Sequence, residues 1–231
     1  MSTNFHFTSD IPPDSVIALG DCHGQIELLF QFLSWVKDSD ARVILLGDLV
    51  DRAKYPGDDL HVLYKVQQLC EDPESWGLAS FTCLQGNHER LLINAIDGYG
   101  YTDWVRNGGD WESLNELAKY RDFLDALPYY VTVGGTLFTH SGGIFGKNPA
   151  DSMNSLHNRE QFVWSRSAYR EGSGLTLWSK TLTKSVFGHS PRSKKAYRVG
   201  DAICIDTAAF HTGTLTAYNS TYNTFMSFDA E

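Results

Sequence analysis

The sequence predicts an α/β fold: two mixed sheets packed on each other, with helices outside. Three observations predict it. In the first ninety residues, short apolar runs alternate with segments of helical periodicity. In the second half the apolar runs are short and closely spaced, and read as strands of a second sheet. The chain, 231 residues long with 42% hydrophobic and 13% aromatic residues, can build a substantial core and is too apolar for general disorder.

Residues 16–20 form a short apolar strand. From 25 to 36, Ile26, Leu29, Phe30 and Leu33 recur at the i, i+3, i+4, i+7 spacing of one helix face. RVILLG at 42–47 is a continuous apolar run, as in a strand buried on both faces. Helical spacing returns over 58–70 through Leu60, Leu63, Tyr64 and Leu69; 79–84 is a third strand and 89–96 the helix after it. This β-α-β-α-β order implies parallel strands joined by right-handed crossovers. Residues 104–127 look helical, broken by a turn at Asn107-Gly108-Gly109. Strands follow at 130–133, 137–140, 186–189, 197–199, 202–205, 215–218 and 225–228. The stretch 142–175, rich in Gly, Ser and Asn, reads as a partly irregular segment bordering a site. The chain 1–231 reads as one domain with a short N-terminal extension, 1–14.

Nineteen Lys and Arg against 28 Asp and Glu give a net charge of −9. That argues against a protein that grips a nucleic-acid backbone with surface charge. It leaves room for a phosphorylated substrate, because bound metal ions would dominate the local field. Cys22, Cys70, Cys83 and Cys204 lack CxxC spacing and read as reduced and mostly buried. The first basic residue is Lys37, so no charged segment precedes an apolar leader, and no apolar run approaches the roughly 18 residues of a membrane span. The expectation is a soluble, cytoplasmic monomer without membrane contacts.

Three strings close the three early strands: GDCHG at 20–24, GDLVDR at 47–52 and GNHE at 86–89. Each puts a metal-type ligand one residue past a glycine: Asp21 with His23 nearby, Asp48, and Asn87. In a parallel sheet, ligands gather beyond the carboxyl ends of strands, so three distant strings can converge there. His140 and His189 also end apolar runs. Oxygen and nitrogen donors without thiolate suit Mn, Fe or Zn.

Such a set points to phosphate-ester hydrolysis, which needs a nucleophile, charge neutralisation and a proton for the leaving alkoxide. Two metals about 3.5–4 Å apart can clamp the attacking and leaving oxygens and lower the pKa of bound water from ~16 towards 7. Asp48 can bridge them, with Asp21 and His23 completing one site and Asn87, His140 and His189 the other; a hydroxide held between them attacks phosphorus in line. His88 points away from the metals if Asn87 points at them, which makes it the candidate general acid. Asp51 is best placed to hold its tautomer. Arg52 and Arg166, the latter in VWSR, can bind phosphoryl oxygens, and Asn87 is a further candidate contact to phosphate. His6, His61, His157 and His211 lack such context and read as surface or packing residues.

These strings, with WVRNGGDW at 104–111, VWSR at 163–166, FGHS at 187–190 and CIDTAAF at 204–210, resemble the phosphoprotein-phosphatase branch of the calcineurin-like metallophosphoesterases, in particular the bacteriophage lambda-type serine/threonine phosphatases and their small bacterial relatives. The resemblance spans roughly 16–218. It implies an αββα sandwich, a dinuclear centre usually active with Mn²⁺, and the residue roles given above. Ala53 stands where the family usually has Gly, Ser-Gly-Gly follows His140, and Ser190 follows the last His. The resemblance also places His211-Thr212-Gly213 beside the substrate. The leading expectation is a serine/threonine protein phosphatase acting on a phosphorylated protein or small molecule. The first alternative is a symmetrical dinucleoside-tetraphosphate hydrolase or another nucleotide or RNA-end phosphatase, relatives that typically carry Asp where Glu89 stands. The second is an inactive module that binds phosphorylated partners, which would be expected to have lost a ligand or the acid.

Overall fold

The structure is a computed structural model and describes residues 11–142, 156–166 and 181–230. Its first half runs β1 (Val16–Leu19), α1 (Ile26–Val36), β2 (Arg42–Leu45), α2 (Asp58–Glu71), β3 (Ser80–Cys83), α3 (Asn87–Ile96), α4 (Tyr101–Arg106), α5 (Leu114–Leu117) and α6 (Arg121–Ala126). The second half runs β4 (Tyr130–Val133), β5 (Thr136–Thr139), α7 (Leu156–Trp164), β6 (Lys184–Phe187), β7 (Tyr197–Val199), β8 (Ala202–Cys204), α8 (Ala209–Thr212), β9 (Thr214–Asn219) and β10 (Thr224–Asp229).

Two five-stranded mixed sheets result, in the orders β10-β9-β1-β2-β3 and β4-β5-β6-β8-β7. In the first, β1, β2 and β3 are parallel, with Ile17 opposite Val43 and Val43 opposite Phe81. β9 runs antiparallel to β1, and β10 to β9. In the second, β5, β6 and β8 are parallel, with β4 and β7 as antiparallel edges.

The two-residue period of the strands divides the first sheet's side chains between two cores. Ile17, Leu19, Val43, Leu45 and Ala217 face one way, into a cluster with Leu29, Phe32, Val62 and Leu63 of α1 and α2. Val16, Ala18, Ile44 and Tyr218 face the other way and meet Phe138, Val186 and Ile203 of the second sheet. Both faces of the first sheet are therefore covered, which is why β2 reads as an unbroken apolar run. The two sheets are flanked by helices, the α/β arrangement the sequence predicts.

Helix α3 starts two residues earlier than its apolar pattern suggests. Gly86, in extended conformation, precedes it, and Glu89 accepts the Gly86 N–H at 2.7 Å, so Asn87, His88 and Glu89 form the first helical turn. Polar function at a helix start hides the beginning of the apolar face. The break at 107–109 is present between α4 and α5, with Gly108 at φ +106°. Within the predicted irregular stretch 142–175, residues 156–164 are helical; 143–155 and 167–175 lie outside the described residues, as does most of the extension 1–14. Among the described residues, no helix is long and apolar enough to cross a membrane.

Candidate active site

The parallel strands of both sheets end at one place. A Cβ on Gly20 would lie 2.5 Å from the carbonyl oxygen of Ile205, so only glycine lets the end of β1 approach the end of β8 this closely. Gly188 works the same way after β6, where a Cβ would stand 2.0 Å from Asp21 Oδ1. The loops leaving these ends are tight. His23, Asp48, Asp51, Arg52 and His189 all have positive φ, between 45° and 69°. Non-glycine residues adopt this backbone at a cost of about 1–3 kcal/mol each, and such strain clusters at functional sites. Ala53 is not among the left-handed positions, and its Cβ lies 2.5 Å from where a Cβ on Gly24 would be. The glycine at 24 thus makes room for the alanine at 53.

Side chains from these loops line an open cavity of about 290 Å³: Asp21, His23, Asp48, Asn87, His189 and Asp206 at its floor, Arg52, His88, Asn107, Trp164, Arg166 and Phe210 around it. His23 Nδ1 donates to the Val50 carbonyl at 3.0 Å and His140 Nδ1 to the Leu46 carbonyl at 2.8 Å. Each bond places the lone pair on Nε2, facing inward. His140 Nε2 is 3.0 Å from Asn87 Oδ1 and 3.3 Å from Asp48 Oδ1, while His23 Nε2 is 3.6 Å from Asp48 Oδ2. Asp48 therefore touches both groups through different oxygens. Asp21 Oδ2 accepts the His189 N–H at 2.9 Å.

Glu89 holds the loops together without entering the cavity. Its Oε2 accepts from the backbone N–H of Asp48 at 2.8 Å and of Gly86 at 2.7 Å, and its Oε1 from that of Leu49 at 2.7 Å. His88 Nδ1 lies 2.7 Å from Asp51 Oδ2, and Trp104 Nε1 donates to Asp51 Oδ1 at 2.7 Å. Arg52 is fixed by donation from Nε to the Asn107 carbonyl at 3.2 Å and by the Phe210 ring, 4.6 Å from its guanidinium. Arg166 is exposed, with Nη1 3.4 Å from Ser190 Oγ.

Burial is the leading cause of every shift in proton affinity here. It raises Asp48 and Asp206 to about 6, Glu89 to about 7 and Asp51 to about 8. Asp21 is pushed well above the carboxylate range by burial, with the neighbouring charges of Asp206 and Asp48 adding to it. The same burial lowers His23, His88 and His189 and takes His140 to about 4, which favours the neutral imidazole in each.

The residues fit a pair of divalent cations. Asp48 belongs to both ligand-type groups found among the described residues, one with His140 and His189, the other with His23 and His88. Two buried atoms at the floor, Asp21 Oδ1 and His189 Nε2, have no hydrogen-bond partner, as unshared ligand atoms would. The crowd of buried carboxyls is itself a reason for cations to bind. In the first group Asp21 does not appear beside His23 and Asp48, and His88 does; the bond from His88 Nδ1 to Asp51 leaves its Nε2 for the cavity.

All the sequence-predicted residues come together: Asp21, His23, Asp48, Asp51, Arg52, Asn87, His88, His140, Arg166 and His189 line or adjoin this one cavity. His211 does not line it; its neighbour Phe210 does, T-shaped on His23 with centroids 5.2 Å apart. Sequence reasoning left Asp206, Phe210 and Trp104 without a role. Asp206 carried a readable signal, an acidic residue just past an apolar strand, as at Asp21. Of the cysteines, Cys22, Cys83 and Cys204 are buried and Cys70 half-buried, all four free.

Residues 15–214 match the family profile of the calcineurin-like phosphoesterases. The chain belongs to that family. This calcineurin-like phosphoesterase is 33% identical over 214 residues to the serine/threonine-protein phosphatase 1 of Salmonella typhimurium, covering 87% of this chain and 89% of that one. In fold it is similar to the solved structure of a candidate diadenosine tetraphosphatase, with a TM-score of 0.66 at 19% identity and 96% of each chain covered. It is also similar to a serine/threonine phosphatase from Saccharomyces cerevisiae, with a TM-score of 0.57 at 17% identity, covering 95% of this chain and 81% of that one. The calcineurin-like phosphoesterases are hydrolases that depend on a dinuclear metal centre, in keeping with the ligand-type groups here.

Proposed function

We propose that this phosphoesterase is a phosphomonoesterase acting on phosphoserine and phosphothreonine in proteins. The observation that carries the reading is the bond of 2.7 Å between His88 Nδ1 and Asp51 Oδ2 at the cavity wall. With two protons shared between them, the pair keeps one on His88 Nε2 whichever of Nδ1 and Oδ2 holds the other. An alkoxide leaving group such as that of serine needs that proton, so the site carries the acid a monoesterase of proteins requires.

In this reading Asp21, His23 and Asp48 hold one metal, and Asp48, Asn87, His140 and His189 the other. When bound, the metals supply a water acidified towards neutrality and neutralise charge on the phosphoryl group. The chain's own residues do the rest. Arg52, held by Asn107 and Phe210, and Arg166 bind phosphoryl oxygens, with Asn87 beside them. His88 passes its Nε2 proton to the departing oxygen, and Asp51 stabilises the ring as it does so. The O/N donors suit Mn, with Fe or Zn as further options.

A second reading is hydrolysis of a dinucleoside polyphosphate. It draws on the exposed rings of Phe210 and Trp164 at the cavity wall, which could stack a base. The serine/threonine reading is favoured by the similarity to the Salmonella phosphatase and by Glu89, where nucleotide-cleaving relatives typically carry Asp. The test is direct. Metal-stripped protein, reloaded with Mn²⁺, is given phosphoserine and phosphothreonine peptides, phosphotyrosine, diadenosine tetraphosphate and a phosphodiester. The phosphopeptides should give the highest kcat/KM; preference for the dinucleotide, or turnover surviving exhaustive chelation, overturns the proposal.

A further inference from the structure

Four carboxyls are buried in or behind the cavity floor, with Asp21, Asp48 and Asp206 lining it and Glu89 behind. The roles assigned so far use three. Asp21 and Asp48 are proposed ligands, and Glu89 ties loops together. The fourth, Asp206, comes from the other sheet, one residue beyond Ile205, whose N–H bonds the Phe187 carbonyl at 2.9 Å. It is 3% exposed and lines the cavity. Its carboxyl lies within hydrogen-bonding reach of the Asp21 carboxyl, while Asp21 Oδ1 has no partner.

The chain spends effort to hold Asp206 there. Asp206 Oδ1 accepts the Ala208 N–H at 2.8 Å, which turns the chain at once and puts Ala208 in the left-handed region at φ 52°. Thr207 Oγ1 donates to the Thr214 carbonyl at 2.7 Å, and Thr212 Oγ1 to the Thr207 carbonyl at 2.8 Å. The turn is thus pinned on both sides, and the other oxygen of Asp206 is left for the floor. Two carboxyls in contact in a buried place repel unless a proton or a cation lies between them.

We propose that Asp206 is a further carboxylate of the metal centre, acting with Asp21 on the cation nearest Asp21 and His23. This rests on the dinuclear reading above. With Asp206 included, three carboxylates, Asp21, Asp48 and Asp206, would face the cations, and the cation at Asp21 would gain a further hard oxygen donor. A purely structural role is the competing account: Asp206 as the acceptor that closes the 206–208 turn.

Asp206→Asn separates the two, because an amide oxygen can still accept the Ala208 N–H but carries no charge. Mn²⁺ binding to metal-stripped protein is followed by titration calorimetry and equilibrium dialysis, with thermal melting of the metal-free form alongside. Wild type should take up two Mn²⁺. In Asp206→Asn at least one should bind about 10–100-fold more weakly, the scale of losing a carboxylate that supports a metal site, while the metal-free variant melts at or above wild type because the repulsion with Asp21 is gone. Ala208→Gly changes the same turn without the carboxylate and should keep both affinities. Two ions held at wild-type affinity by Asp206→Asn overturn the inference and leave the dinuclear reading intact. So does weaker binding accompanied by a lower metal-free melting temperature. A wild type that binds no Mn²⁺ overturns both.

Discussion

His88 and Asp51 form a buried pair at 2.7 Å, and Trp104 Nε1 closes the chain by donating to the second Asp51 oxygen at 2.7 Å. The acid, its orienting carboxylate and the residue that fixes the carboxylate come from α3, the loop after β2 and α4. Proton delivery is therefore specified by three separate segments. Replacing His88 by Asn should lower kcat for phosphoserine peptides by about 10²–10⁴-fold, the worth of a general acid. The loss should be smaller for p-nitrophenyl phosphate, whose phenolate leaves without a proton. Metal content, measured by atomic emission, should equal wild type; loss of an ion would make His88 a ligand, the role its grouping with His23 and Asp48 also permits.

Trp104 acts on the pH profile. Burial raises Asp51 to about 8, while the Trp104 bond and then Arg52 pull it back down. The Asp51–His88 pair is a competent acid while it retains its second proton, so activity should fall on the alkaline side as that proton leaves. In Trp104→Phe the indole donor is gone, Asp51 holds its proton more tightly, and the alkaline limb of kcat against pH should move upward. The plateau should drop as the His88 ring loses its orientation. A limb that stays in place or moves to lower pH would show that Asp51 does not govern it.

Much of this was written in local sequence. β1, β2 and β3 announced themselves because buried parallel strands are apolar throughout, and Asp21, His23, Asp48 and Asn87 because a ligand must follow a strand end directly. His140 and His189 followed the same rule in the second sheet. Asp206 obeyed it too, yet no glycine precedes it, so nothing marked it out from a turn residue. Trp104 and Phe210 were opaque for another reason. Their roles arise from contacts with Asp51 and Arg52, 53 and 158 positions away in the sequence, and an aromatic residue in a loop or helix carries no sign of which partner it will meet. The start of α3 at Asn87 was hidden because its first turn is occupied by polar residues with work elsewhere.

Glu89 receives three backbone N–H bonds from Asp48, Leu49 and Gly86 and is fully buried. Glu89→Gln puts an amide N–H against at least one of those donors, which leaves buried polar groups unpaired at about 1–3 kcal/mol each. The melting temperature should fall by roughly 2–4 °C per kcal/mol for a chain of this size. Because Asp48 moves with its own backbone, Mn²⁺ affinity should fall as well. Glu89→Asp, one methylene shorter, cannot span both loops and should show both losses. Calorimetric titration with unchanged affinity in both variants would confine Glu89 to folding.

The two arginines are not equivalent. Arg52 is held by Asn107 and Phe210, whereas Arg166 is exposed with one long contact to Ser190. A guanidinium already held in place loses little freedom on binding phosphate. Arg52→Ala should therefore weaken inhibition by inorganic phosphate and raise KM for phosphopeptides more than Arg166→Ala does, by about tenfold or more against a few-fold. Equal effects would mean that the contacts of Arg52 do not preorganise it.

Asp59 sits in the first turn of α2, buried against Gly24, with Oδ1 unpartnered and the backbone N–H of Asp51 on the carboxyl. Burial, reinforced by the charge of Asp51, raises it to about 8. An aspartate in the unfolded chain titrates near 3.9, so between about pH 4 and pH 8 the folded state binds a proton that the unfolded state does not. Stability from this group is fully present below the unfolded value and is lost as pH rises towards 8, at about 1.4 kcal/mol for each pH unit. Asp59→Asn keeps an acceptor for the Asp51 N–H and removes the titration. Metal-free Asp59→Asn should melt close to wild type near pH 4 and progressively above it from there to pH 8, with no further divergence beyond. Melting curves of the two proteins that stay parallel across that range would mean that Asp59 is ionised in the folded protein and finds its compensation elsewhere.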